Sequence, residues 1–192
     1  MARILIVEDD PLIRLGMARL LSKAGHDVCT VADGESALRE AAVLAPDLVL
    51  LDVGLPGIDG VGCAERLRQR RYTGPLVFLT ADDREATVTG AAAMGAHAYL
   101  VKPITGAQLL PVVTTALAAA GRLVAEQARM EDALRDSRTI SAAVGVLAER
   151  HGCNVDEAFE RLRTQARQDQ RKIVELAAEI APYPSTGGRP RR

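Results

Sequence analysis

"RILIVEDDPLIR" (residues 3–14) reads in two parts. A nearly unbroken apolar run from Arg3 to Val7 is followed at once by three acids, Glu8, Asp9 and Asp10. Continuous apolarity without alternation fits a strand buried on both faces, as in a parallel sheet. Beyond the acids, Ile13, Met17, Leu20, Leu21 and Ala24 fall at helical spacing. The same strand-then-helix unit recurs. "DVCTV" (27–31), "DLVLL" (47–51), "PLVFL" (75–79) and "HAYLV" (97–101) are further strand candidates, and helix-length segments lie between them, one carrying Val61, Ala64 and Leu67. Five such units predict an α/β fold: a (βα)5 doubly wound parallel sheet with right-handed crossovers.

In sheets of this kind ligands sit at the carboxyl ends of the strands. The residues found there are Glu8, Asp9 and Asp10 after the first strand, Asp52 after the third, Thr80 after the fourth and Lys102 after the fifth. The fold brings all of them to one edge. Carboxylates crowded there repel one another unless a cation sits among them, and oxygen ligands of this type suit Mg²⁺ with a phosphoryl oxygen. Asp52 can then act as a nucleophile that forms an acyl phosphate. Thr80 can donate a hydrogen bond, and Lys102 supply a charge, to phosphoryl oxygens. Singly these residues say little, since an acidic pair after a strand is ordinarily a helix start. All four, in order, carry the argument. His26, His97 and His151 read as surface or packing residues.

The 192 residues suffice for one ordinary domain and a small second one. Net charge is -1, so no overall field draws the chain to nucleic acid or membrane. Residues 1–105 hold 14 acids and 11 bases, and residues 106–192 hold 11 acids and 13 bases. Three scattered cysteines suit a reducing, cytoplasmic setting. No apolar run approaches the ~18 residues of a membrane span.

Residues 1–120 resemble the receiver domain of two-component response regulators. The resemblance rests on "ILIVEDDPLIR", "LVLLDVGLPGIDG", "LTA" and "AYLVKP". It implies that Asp52 is the phosphoacceptor and that Glu8, Asp9, Asp52 and the Gly54 carbonyl hold Mg²⁺. It further implies that Thr80 and Tyr99 are the switch threonine and aromatic, and that Lys102 contacts the phosphoryl group. The expected phosphodonor is a sensor histidine kinase. The only expected catalysis is the domain's own phosphotransfer and dephosphorylation. Gly54 stands where the family often has a larger residue.

From Gly106 a helical stripe runs through Leu110, Val113, Leu117, Ala120 and Val124, then weakens at Gln127 and Glu131 before Met130 and Leu134. Residues 106–136 are thus expected to be a linking helix with a short coiled coil, able to form a homodimer. Residues 137–181 read as a small all-α three-helix bundle. Ile140, Ala143, Val144 and Leu147 mark the first helix, with Gly152 as its C-cap. Asn154 and Glu157 form a capping box for the second, where Phe159, Leu162 and Ala166 are assigned to the core. Ile173, Leu176, Ala177 and Ile180 mark the third. Residues 182–192 are disordered by composition.

An output of this kind lacks the strands of a winged helix and the ligands of a zinc site. The stretch "RTISAAVGVLAERHGCNVDEAFERLRTQARQDQRKIVELAAEI" (138–180) resembles the ANTAR domain of RNA-binding transcription antiterminators. Arg138, Ile140, Ala143, Gly145 and Leu147 carry the match in the first helix. Ala158, Phe159, Leu162, Arg163, Ala166 and Arg167 carry it in the second, and Lys172 and Ala177 in the third. Val144 departs from a usual lysine and Ala148 from a frequent methionine. The resemblance implies binding of RNA stem-loops and antitermination. Arg163 and Arg167 lie one turn apart, and Arg171 and Lys172 follow, a cluster suited to an RNA backbone. Spacing alone favours a solvated face with Glu157–Arg161 and Glu160–Arg163 pairs. A DNA-binding or protein-interaction helical output is the alternative.

Overall fold

A computed structural model describes residues 1–81 and 97–181. The helix expected between the fourth and fifth strands and the tail at 182–192 lie outside the described residues. Five parallel strands, β1 (Arg3–Val7), β2 (Asp27–Val31), β3 (Leu48–Asp52), β4 (Leu76–Thr80) and β5 (Ala98–Val101), form one sheet in the order β2-β1-β3-β4-β5. β3 and β4 end one residue later than the apolar runs predict. The ladder pairs Asp52 with Leu79 and Thr80 with Val101, so both polar residues close their strands rather than follow them. β3 and β4 are buried throughout, whereas β2 and β5 are half-exposed. That contrast follows from position, because an edge strand has only one neighbour.

Helices α1 (Pro11–Lys23), α2 (Gly34–Leu44), α3 (Gly60–Gln69) and α4 (Gly106–His151) accompany the sheet. Met17 and Leu21 of α1, with Leu109, Val113 and Ala116 of α4, pack on Ile4, Ile6, Leu48, Leu50, Val77 and Leu79. Leu38 of α2 and Cys63, Ala64 and Leu67 of α3 pack on Leu5, Val7, Val49, Leu51 and Phe78. Successive residues of each inner strand therefore feed opposite cores, as the period-2 geometry of a strand requires. Asp10, Asp33 and Asp59 cap α1, α2 and α3, each carboxylate accepting backbone N–H groups that the helix start leaves unpaired.

α4 runs for 46 residues without a break at 136–137, so the linking helix and the first output helix are one element. Every residue from 121 to 138 is exposed. The chain divides into compact units at Leu123 and Val124. By length and composition α4 contains an apolar stretch long enough to cross a membrane, longer than the sequence reading allowed. Its Leu109, Val113 and Ala116 nevertheless belong to the core against the sheet.

The second unit joins the end of α4 to α5 (Val155–Gln168) and α6 (Ile173–Ile180). Its core is Ala143, Val144, Leu147, Ala158, Leu162, Ala166, Leu176 and Ala177. Gly152 adopts φ +62 after α4, a left-handed position that glycine takes without strain. Asn154 caps α5, its Oδ1 accepting from Glu157 N at 2.8 Å. Phe159 is 39% exposed, contrary to its expected core position. The buried line of α5 runs Ala158–Leu162–Ala166 at intervals of four, which leaves Phe159 on its flank.

Candidate functional site

The acidic site is assembled at the carboxyl ends of β1, β3 and β5. β1 and β3 are neighbours, with Val7 opposite Leu51, so Glu8 comes beside Asp52. Lys102 follows β5, its backbone N donating to Thr80 O at 2.8 Å. Its side chain reaches across the end of β4. Lys102 Nζ lies 2.9 Å from Glu8 Oε1, 2.8 Å from Glu8 Oε2 and 2.9 Å from Asp52 Oδ2. Glu8 is fully buried, and Asp52 is 5% exposed.

One ammonium thus serves two buried carboxylates. Burial raises the Glu8 carboxyl above its ordinary 4.5; the hydrogen bond from Lys102 opposes this, and the Asp52 charge adds to it. Burial also works against the charged form of Lys102, but hydrogen bonds to Glu8 and Asp52 outweigh it and raise its pKa. Glu8 Oε2 lies close to the ammonium yet off the direction of a hydrogen bond, and among the described residues no donor satisfies it. A buried carboxylate oxygen without a directed hydrogen bond keeps lone pairs that a cation could take up. Glu8, Asp9 and Asp52 each offer an oxygen within 4.8 Å of the others. This donor set fits a hard divalent cation such as Mg²⁺.

The surroundings separate structural acids from available ones. The Asp10 carboxylate is engaged by Leu12 N at 2.7 Å and Ile13 N at 3.2 Å, so it serves α1. Asp9 is exposed and has no such duty. Arg14 Nη1 donates to the carbonyls of Glu8 at 2.6 Å and Asp9 at 3.1 Å, which fixes the turn carrying both. Gly54 N donates to Asp52 Oδ1 at 3.2 Å. A Cβ on Gly54 would meet nothing nearer than the two Asp52 carboxylate oxygens, each at 4.0 Å. Thr80 is fully buried at the end of β4. Tyr99 lies in β5, its ring stacked on Phe78 at a centroid distance of 5.4 Å.

Two positions escaped the sequence reading. Gly60 opens α3, and a Cβ there would fall 2.1 Å from the Asp52 carbonyl oxygen. Only glycine lets α3 start so close to the strand that carries Asp52. The glycine was visible in "GIDG", but the contact was not. Arg14 carried no signal in the sequence, since its contacts to the Glu8 and Asp9 carbonyls arise only from the turn geometry.

In the second unit the four basic candidates divide. Arg163 Nη1 lies 2.9 Å from Glu160 Oε1. Arg171 forms a two-armed pair with Glu179. Among the described residues, the side chains of Arg167 and Lys172 form no ion pair or hydrogen bond. Val144, which stands at the family's lysine position, is 5% exposed and belongs to the core. It is a packing residue, and a lysine there would carry charge into the bundle interior.

The fold and the carboxylate–lysine site define a response-regulator receiver. The chain belongs to that family: the response regulator receiver domain model matches residues 4–114, and the ANTAR domain model matches residues 128–180. Over 182 residues it is 34% identical to the transcriptional regulatory protein PdtaR of Mycobacterium tuberculosis, covering 93% of this chain and 88% of that protein. It is 39% identical over 103 residues to the alkaline phosphatase synthesis regulator PhoP of Bacillus subtilis, covering 54% of this chain and 43% of PhoP. Among solved structures, the chemotaxis protein CheY4 of Vibrio cholerae is similar at a TM-score of 0.57 and 31% identity. That match covers 60% of this chain and 98% of CheY4.

Proposed function

We propose that this protein is a cytoplasmic, phosphorylation-responsive regulator. Its receiver (1–120) takes a phosphoryl group on Asp52 from a sensor histidine kinase, and its bundle (137–181) binds RNA stem-loops to cause antitermination. The observation that carries the first part is Lys102 shared between Glu8 and Asp52 at 2.8–2.9 Å. An Asp52 carboxylate oxygen attacks the donor phosphorus, and a new P–O bond forms as the donor's bond breaks. Lys102 then holds charge beside the phosphoryl oxygens, with the Thr80 hydroxyl as a further donor. Mg²⁺ held by Glu8, Asp9, Asp52 and the Gly54 carbonyl would neutralise charge on the transferred group. Tyr99, on β5 next to the β4 that carries Thr80, is the aromatic that responds. Hydrolysis of the acyl phosphate is the only other catalysis assigned.

The seam for a second copy of this chain differs from the sequence stripe. Leu110, Val113 and Leu117 pack against this chain's own sheet core, so they are not free. The large apolar residues of α4 that face solvent are Leu123 at 61%, Val124 at 69%, Met130 at 63% and Leu134 at 52% exposed. Leu123 and Met130 are one heptad apart, and Leu134 follows at the next seam position. This segment is the proposed dimer contact.

RNA binding rests on the ANTAR match and on Arg163, Arg167, Arg171 and Lys172. The Glu160 and Glu179 pairs favour a second reading, in which the bundle docks a protein, because a paired arginine has less charge to offer phosphate. The experiment has two arms. Acetyl phosphate with Mg²⁺ should add one phosphoryl group by intact mass, and Asp52→Asn should take none; undiminished labelling of that variant ends the assignment. The phosphorylated full chain is then titrated with hairpin RNA and with duplex DNA at two salt concentrations. Equal affinity for the two, or none for either, moves the output to the DNA-binding or protein-docking reading.

A further inference from the structure

We propose that Phe159 is the platform on which an unpaired base of the RNA loop stacks. This inference rests on the RNA reading above and supplies what the basic residues cannot, a contact to bases. Phosphate contacts fix a protein on its nucleic acid but carry little information about the loop. Single-stranded RNA is gripped by aromatic faces, and stacking of this kind tolerates any base.

Three observations converge on Phe159. It is the sole aromatic of the second unit among the described residues. At 39% exposure its ring is partly open to solvent, while Ala158 and Leu162 beside it are almost completely buried. Leaving the bundle's one aromatic outside a core built from small aliphatic side chains gives up burial energy, which asks for another use of the ring. Its flank is also charged in the right sense. Phe159, Arg163 and Arg167 follow one another at single-turn intervals on α5, so they form one ridge beside the buried stripe. Arg163 and Arg167 both lie on the C-terminal side of the ring and can hold the phosphates that follow a base stacked on it; Arg167 has no side-chain partner among the described residues, whereas Arg163 must first leave Glu160. Val155, 64% exposed and one turn earlier, extends the apolar surface away from the arginines.

The test uses the phosphorylated full chain and three probes: an RNA hairpin with an all-adenosine loop, the same hairpin with an abasic loop, and the loopless stem duplex. Phe159→Ala should weaken binding to the adenosine hairpin roughly 5- to 150-fold, the range of one stacked base. It should leave binding to the abasic hairpin unchanged, because no base remains to be stacked. The salt slope should stay the same, whereas Arg167→Ala should lower it by roughly 0.7–0.9. Phe159→Trp should retain binding. Phe159→Leu preserves apolar bulk but should lose binding, which separates stacking from packing. If the hairpin binds equally to wild type and Phe159→Ala, or if the loss is the same on the abasic loop, the proposal falls while RNA binding stands. If no probe binds, the RNA reading itself falls, and Phe159 belongs to a protein contact.

Discussion

Replacing Lys102 by methionine tests the reading of the acidic site as a cation centre. The ammonium lies within 2.9 Å of both Glu8 and Asp52, and its side chain is only 18% exposed. Methionine keeps much of the side-chain bulk and removes the charge, leaving two buried carboxylates facing each other. Removing one partner from a buried ion pair typically costs about 3–5 kcal/mol. Lys102 retains some solvent contact, and Glu8 can take up a proton, so the low end, about 3 kcal/mol, is expected here. At roughly 4 °C per kcal/mol, the receiver transition should fall by about 12 °C at neutral pH without metal. Mg²⁺ should then recover more stability in the variant than in wild type, because in the variant it supplies the only positive charge among the carboxylates. Scanning calorimetry of both proteins, with and without millimolar Mg²⁺, measures all four transitions. An unchanged transition in the metal-free variant, or equal Mg²⁺ increments in the two proteins, would refute the reasoning.

Three other outcomes follow from the packing. Burial pushes the Cys63 thiol from 9.0 up to about 11. Its contribution to stability is therefore complete below pH 9 and lost as pH rises toward 11, an effect on the order of 2–3 kcal/mol. Chemical denaturation across that range should show a larger loss in wild type than in Cys63→Ala, where burial of Tyr72, Tyr99 and Cys29 still contributes, and parallel pH curves would contradict it. Gly60→Ala places a methyl 2.1 Å from the Asp52 carbonyl; it should cost about 1–3 kcal/mol and slow phosphorylation by acetyl phosphate. Wild-type melting together with a wild-type rate would rule this out. Leu162→Ala removes a 1% exposed core side chain and should destabilise the bundle by about 2–5 kcal/mol while Asp52 labelling proceeds normally. Loss of labelling in that variant would show that the receiver depends on the bundle.

The parallel sheet was legible because its signal is local. Apolar runs such as "RILIV" and "DLVLL" need only short windows, and the topology then brings their polar ends together without further information. That reasoning placed Glu8, Asp9, Asp52 and Lys102 on one edge. It could not supply the distances that make Lys102 a shared counter-ion, because residues 94 positions apart meet only through the sheet. Gly60 shows the same limit, since its need for a bare Cα comes from the backbone of Asp52 pressing on it. Helical spacing likewise fixes which residues share a face, but not how that face is rotated against its neighbours. Leu117 and Phe159 both lie on apolar stripes. Packing half-buried Leu117 against its own sheet and left Phe159 partly exposed on the flank of the bundle core. Val144, read from the sequence as part of the apolar face of the first output helix, is a core residue, as that face predicts. Composition and period thus determined the parallel sheet, the helical character of the second half and the acidic edge. Only tertiary packing decided which charges are paired, which apolar residues stay free and where a ligand could touch them.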